Sequence, residues 1–211
     1  QIGKNWYLGE TLHAGIGQGY FLSTPLQLCL MTAQLANGGF KLNPRIIVDD
    51  NNQVNSLQKY LNFKKENPNS NPQISNFNLQ PLFRNQENVN FVKEAMFAAS
   101  NEPGGTSYTS RHTDKKFMFA GKTGSSQIKK FTEEQRIAEV KQKDITYLER
   151  DHAWFVAFAP VKDPKYAISV LVEHGGSGSS AAAPIAKKVI KKVIERHGNR
   201  SSYLNQKQDN V

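Results

Sequence analysis

Cysteine is almost missing from this chain: Cys29 is the only one, which excludes an internal disulfide and any cysteine-based metal cluster. It lies in an apolar helical run, where a buried, inert thiol is expected. Long apolar runs are missing too. None approaches the ~18 uninterrupted residues that a membrane helix needs, and Gln1 opens no signal peptide. The start, without methionine, reads as the middle of something larger. His13, His112, His152, His174 and His197 show no metal-ligand spacing, so each is expected to be a structural or surface residue. No metal or cofactor is implied, and no internal repeat is visible.

What is present is ample material for a core and a surplus of positive charge. Hydrophobic residues make up 38% of the 211, and the formal net charge is +9. That length allows one good-sized domain or two small ones, and a mean hydropathy of -0.58 leaves much of the surface wet. A basic balance admits polyanionic partners, but the Lys and Arg are scattered rather than striped. A polyanion-binding module is therefore a subordinate reading, with salt-dependent affinity for DNA as its signature, and no nucleic-acid partner is expected.

Thr24 can cap, and Pro25 can open, a helix running to about Asn37, ended by Gly38-Gly39. Its apolar residues, Leu26 to Ala36, cover most of the circumference, which predicts a buried helix. From Asp49 to Asn90 the composition turns to Asn, Gln, Lys and Pro, preceded by Ile46-Ile47-Val48 and broken by Leu79 to Phe83. This reads as a strand followed by a loop-rich, partly disordered excursion over 49–90. Helical spacing returns over Asn88 to Asn101 and stops at Pro103-Gly104-Gly105. Strands are predicted over Lys116–Thr123, Ala153–Ala159 and Tyr166–Glu173, the last two joined by a turn at Val161–Lys165. Their near-continuous apolar runs suggest a sheet covered on both faces. The charged stretch from Ser126 to Asp151 reads as a solvated flap, with a capping signal at Thr132-Glu133-Glu134-Gln135 for a short helix. Gly175 to Ser180 reads as a flexible connector; a phosphate cradle ahead of the following helix is the weaker alternative. That helix runs from about Ala182 to His197, and Gly198 is the predicted stop. A polar tail, 199–211, follows.

The sharpest chemical signal is Lys122-Thr123-Gly124-Ser125. Glycine at a sheet edge lets a ligand backbone lie flat against the strand. The hydroxyls and the ammonium can hold a carboxylate, and exposed backbone groups can pair with an extended peptide. The bland reading is a surface turn. Gly15-Ile16-Gly17-Gln18-Gly19 echoes a dinucleotide loop, but no strand leads into it and the spacing is wrong.

Context lifts the tetrapeptide out of the bland reading. It follows Ala120-Gly121 at the head of a strand, and a strand pair and an amphipathic helix follow it. That order resembles the end of the serine penicillin-recognising fold, whose signature set is Ser-x-x-Lys, Ser-x-Asn and Lys-Thr-Gly. Gly15 to Tyr20 with Thr24 to Gln27, Asn101 to Thr106, Ala120 to Ser125, Asp151 to Pro160, Val172 to Gly176 and Ala181 to Ala186 are similar to class B penicillin-binding proteins, in the type-2, cell-elongation branch. The resemblance spans about Gly9 to His197, excluding the Asn-rich middle. It implies an α+β fold, part of the α/β/α sandwich of the serine β-lactamase and penicillin-binding transpeptidases, with antiparallel strands and covering helices. Residues 1–198 would then be the C-terminal portion of that domain.

The implied chemistry is acyl transfer on peptidoglycan. A serine attacks the D-Ala-D-Ala end of a stem peptide, D-alanine leaves, and an amine of a neighbouring strand takes the acyl group. β-Lactams mimic the dipeptide. By resemblance, Lys122 would raise the local positive potential, Thr123 and Ser125 would bind the terminal carboxylate beside Gly124, and the Ser125 backbone N–H would be an oxyanion-hole donor. The enzyme would work at the periplasmic face of the inner membrane, anchored upstream, with the cell-elongation machinery and the upstream part of the same enzyme as partners. The family's nucleophile and Ser-x-Asn motifs precede the Gly15 to Tyr20 region, where only fourteen residues stand. Ser-x-x-Lys occurs at Ser56–Lys59 and Ser126–Lys129, both read as chance; Ser56 is not expected at a buried helix start. Ser-x-Asn does not occur. The nucleophile is therefore expected to be absent and the chain alone inactive. The alternative is a truncated, non-catalytic fragment that binds wall peptide or a partner. A serine β-lactamase is the nearest enzymatic rival. Without upstream strands and helices, one face of the sheet is expected to expose apolar surface.

Overall fold

The computed structural model describes residues 5–17, 19, 21–44, 46, 56–67, 79–128, 134, 141 and 144–208. A short helix, α1 (Leu8–Gly15), is followed by α2 (Pro25–Ala36). The start of α2 is set by its sequence: Gln27 N–H donates to Thr24 Oγ1 at 3.2 Å, and Thr24 N–H donates to the Gln27 side chain at 2.8 Å. This reciprocal pair satisfies two donors that a helix end leaves open, and Pro25 has none to offer. After α3 (Ser56–Glu66), the chain is tied back by a single bridge between Phe40 and Pro81. Then comes α4 (Gln86–Asn101), capped by Asn85, whose Oδ1 accepts from Glu87 N–H at 2.8 Å.

Three antiparallel strands follow in sheet order β1 (Ala120–Ser126), β2 (His152–Ala159) and β3 (Tyr166–Val172). In the β1–β2 register Lys122 faces Val156, Thr123 faces Phe155, Gly124 faces Trp154 and Ser125 faces Ala153. A π-helical turn, Gly178–Ala182, leads into the last helix, α5 (Ala183–Gln208).

Strand alternation sorts the apolar residues onto two faces. On one, Phe119, Ala153, Phe155 and Ala157 pack against Ala182, Ala186, Ile190 and Ile194 of the turn and α5. The Phe119 and Phe155 rings meet edge to face, 5.7 Å apart, an arrangement worth about 0.5–1.5 kcal/mol beyond area burial. On the other face, Ala120 and Phe158 pack against Leu35 and Ala36 of α2 and Val89 and Met96 of α4. The result is helix, sheet, helix: an α+β sandwich layer, as expected.

Several expectations are corrected. The apolar part of the sheet is covered on both faces; much of the apolar exposure lies instead in the N-terminal segment, where Leu8, Leu12, Ile16, Phe21, Leu22 and Leu26 are all more than half exposed. For the same reason α2 is only half-buried: Thr32, Leu35 and Ala36 reach the core, while Leu26 and Met31 do not. The polar excursion 49–90 contains α3 and the start of α4, because Lys, Gln and Leu favour helix even where few apolar residues mark a face. β1 begins at Ala120, not Lys116, and runs on to Ser126. Gly178 does not sit in a loose connector. An added Cβ there would lie 2.3 Å from the Trp154 carbonyl oxygen and 2.8 Å from that of Gly124. The turn therefore rests directly on the strand pair. Gly198 does not stop α5, which continues through the polar tail to Gln208; a glycine inside a helix costs about 1 kcal/mol, too little to end it outright. Ser56 opens α3, in which Lys59 is exposed. Ile47 and Val48, and most of the helix expected at Thr132 to Gln135, lie outside the described residues.

Candidate functional site

The outer edge of β1 is closed along its first half and open along its second. Gly121 N–H donates to Ser100 Oγ at 3.0 Å, and Ser100 Oγ donates back to the Gly121 carbonyl at 3.2 Å. Asn101 Nδ2 donates to the Phe119 carbonyl at 2.9 Å. The end of α4 thus takes the bonds that a neighbouring strand would make. Ser107, fully buried, supports Ser100 from 3.1 Å and bonds the Ala99 carbonyl. Gly105 allows this, since a Cβ would lie 2.5 Å from the Ala99 oxygen.

Because both Gly121 groups point away from β2, the alternation of an antiparallel ladder turns those of Thr123 and Ser125 the same way. Lys122, Gly124 and Ser126 bond inward to β2. The open stretch of edge is therefore Thr123 to Ser125, inside the tetrapeptide singled out from the sequence. Lys122 is exposed on the α2–α4 face, and its Nζ donates to the Thr123 carbonyl at 2.9 Å. Thr123 and Ser125 share the α5 face, where Thr123 Oγ1 donates to Thr106 Oγ1 at 3.0 Å. At Gly124 a Cβ would meet nothing nearer than Trp154 Cβ at 3.4 Å, so packing behind the strand does not demand glycine; its bareness matters at the open edge. A ligand lying here would find backbone donors and acceptors in front, a cation to one side and hydroxyls to the other.

The loop between β1 and β2 leaves from this end, since Ser126 pairs with His152. Its return leg is held by stacked side chains. Tyr147 packs on His174 at 5.2 Å, and His152 Nδ1 accepts from His174 N–H at 2.9 Å. Asp151 is buried, and burial pushes its carboxyl above the usual carboxylate range, opposed by the Ile128 N–H and by His152. The remaining histidines are structural or exposed: His112 bonds the Lys187 carbonyl, His197 the Tyr166 hydroxyl, and His13 is exposed. Among the described residues no group of three or more His, Cys, Asp or Glu could hold a metal ion, and no helix is long and apolar enough to cross a membrane.

The sequence-predicted residues Lys122, Thr123, Gly124 and Ser125 thus come together on one strand edge. Neither Ser-x-x-Lys joins them as a pair. Ser56 opens α3, whose Lys59 is exposed and whose Lys65 bonds Asp163 at the opposite end of the sheet. Ser126 ends β1, but Lys129 lies outside the described residues. Cys29 is half-buried against the Ala167 carbonyl, and burial raises its thiol pKa against the lowering effect of a backbone bond from Ser169. Sequence reasoning missed Ser100, Asn101 and Ser107; hydroxyl and amide residues ahead of and around Pro103-Gly104-Gly105 are the signal, though their use depends on which edge the helix end meets.

Residues 1–191 match the family described as the penicillin binding protein transpeptidase domain. The peptidoglycan D,D-transpeptidase MrdA of Salmonella typhimurium is 32% identical over 192 residues, covering 91% of this chain and 28% of that protein. MrdA of Haemophilus influenzae is 33% identical over 187 residues, covering 89% and 26%. The chain thus spans under a third of the curated relatives it matches. Among solved structures, the Helicobacter pylori penicillin-binding protein PBP2 in complex with MreC superimposes with a TM-score of 0.66 at 29% identity, covering 92% of this chain and 29% of that one. Pseudomonas aeruginosa PBP2 in complex with WCK 5153 gives 0.62 at 33%, covering 90% and 34%.

Proposed function

This chain belongs to the penicillin-binding protein transpeptidase family, in its class B type-2 branch, and from that premise we propose that it supplies the substrate-gripping strand of a peptidoglycan D,D-transpeptidase. The observation that supports this reading is the open β1 edge from Thr123 to Ser125, flanked by the exposed Lys122.

A stem peptide ending in D-Ala-D-Ala lies along that edge as an added strand. Thr123 and Ser125 hydroxyls hold its terminal carboxylate, and Lys122 supplies positive potential. The outward N–H of Ser125 points to where negative charge develops when a serine Oγ attacks the penultimate carbonyl; one such donor is typically worth about 3 kcal/mol of barrier. The C–N bond to the last D-alanine breaks, that residue leaves with the proton, and an amine of a second strand takes the acyl group. The attacking serine comes from polypeptide beyond these residues. β-Lactams occupy the same edge, and the charged loop after Ser126 borders it. By likeness to the relative solved in complex with MreC, elongation proteins are its partners. Its place is the periplasmic face of the inner membrane, with the anchor upstream.

A fluorescent penicillin tests this. The 211-residue chain stays unlabelled, whereas the longer polypeptide carrying the upstream Ser-x-x-Lys is labelled, and Lys122→Ala slows that labelling about 100-fold or more. Labelling of the chain by itself, or full-rate labelling of Lys122→Ala, overturns the reading.

A further inference from the structure

A second concave site lies on the α5 face, made of residues that the β1 edge does not use. It is a cavity of about 580 Å³ between the short 3-10 turn Tyr108–Ser110, the π-helical turn and the first turns of α5. Two of its walls carry hydroxyls, from Thr109 and Ser110 on one side and Ser179 and Ser180 on the other. The third carries Lys187, Lys188 and Lys191, which fall within about 100° of arc at 3.6 residues per turn. No carboxylate lines it. Among the described residues Lys187 and Lys188 make no ion pair, while Lys191 reaches Glu195 at 3.9 Å and lies over the Phe117 ring, 5.8 Å from its centre. His112 also faces the cavity; its Nε2 donates to the Lys187 carbonyl at 3.0 Å, which leaves Nδ1 as the free ring nitrogen.

Lys187 and Lys188 thus bring positive charge to the concavity with no carboxylate partner among the described residues, and an anion would offset it. Its kind follows from the donors. Lysines act as point charges and hydroxyls rotate to suit, so they can surround a tetrahedral oxyanion from several sides. The planar fork that matches a carboxylate is not offered: Arg111, the nearest guanidinium in sequence, is laid on the Tyr108 ring at 3.6 Å. We infer that this cavity is a binding site for a phosphate-bearing ligand, a phosphate ester of a small molecule or of a lipid headgroup, separate from the strand edge around Lys122.

Calorimetric titration of the full chain with glycerol phosphate, inorganic phosphate and acetate tests it, alongside flotation with phosphatidylglycerol vesicles. Both phosphates are expected to bind at least ten-fold more tightly than acetate. Lys187→Gln with Lys188→Gln weakens them ten-fold or more, and Ser180→Ala two- to five-fold. Lys162→Gln with Lys165→Gln, of equal charge on the β2–β3 turn, leaves them within two-fold. Circular dichroism melts that superimpose show that the variants remain folded. Vesicle binding that needs Lys187 and Lys188, with glycerol phosphate failing to compete, assigns the lipid source; competition by glycerol phosphate assigns the soluble one. Equal loss in both lysine pairs, or acetate binding as well as phosphate, overturns the proposal. Penicillin labelling is not among the readouts, so failure here leaves the strand-edge reading untouched.

Discussion

The sheet with its two helical layers and the N-terminal segment up to Leu22 both carry large apolar side chains, and these end in opposite states. In the first, Phe119, Phe155 and Phe158 are at most 1% exposed; in the second, Leu8 is 80% and Leu22 96% exposed. The difference lies in partners, not composition. The buried strand residues have a helix across from them, whereas α1 has no buried residue at all.

Truncations should separate the regions most sharply. Phe155→Ala is expected to cost about 3–5 kcal/mol, read from urea denaturation, whereas Leu22→Ala stays within about 0.5 kcal/mol; equal losses would break the contrast. Glycines extend it with a smaller effect. Gly178→Ala forces a Cβ onto two carbonyl oxygens and should cost about 1–3 kcal/mol. Gly9→Ala, in α1 with nothing within 4 Å of the added Cβ, should gain up to about 1 kcal/mol. The smallest effect is a pH dependence. Burial raises the folded-state pKa of Asp151 above its unfolded value. Its contribution is then fully present below the ordinary carboxylate range and is lost as pH rises through the raised value. Asp151→Asn should therefore gain on the parent chain from about pH 4 upward, in denaturation midpoints measured at stepped pH. A gap that narrows with rising pH would contradict the assignment.

Much of the well-packed region was legible beforehand. β2 and β3 announce themselves as apolar runs, Thr24-Pro25 marks the start of α2, and Lys122 to Ser125 fall on the predicted edge. What stayed hidden depended on neighbours. α3 has too few apolar residues to show a face, and Gly198 looks like a stop when read locally. Leu26 looks like core, since sequence cannot say whether a partner stands opposite. Ser100 is unremarkable until the end of α4 meets the backbone of Gly121, and nothing in the sequence brings the lysines at 187, 188 and 191 together with the hydroxyls of Thr109 and Ser110.

The contact of Gly178 with the Gly124 and Trp154 carbonyls leaves no slack between the last helix and the strand that carries the tetrapeptide. The turn cannot slide without pushing the strand, so the two behave as a single mechanical part. Bulk added at residue 178 is therefore expected to be felt at the edge that carries Thr123 to Ser125.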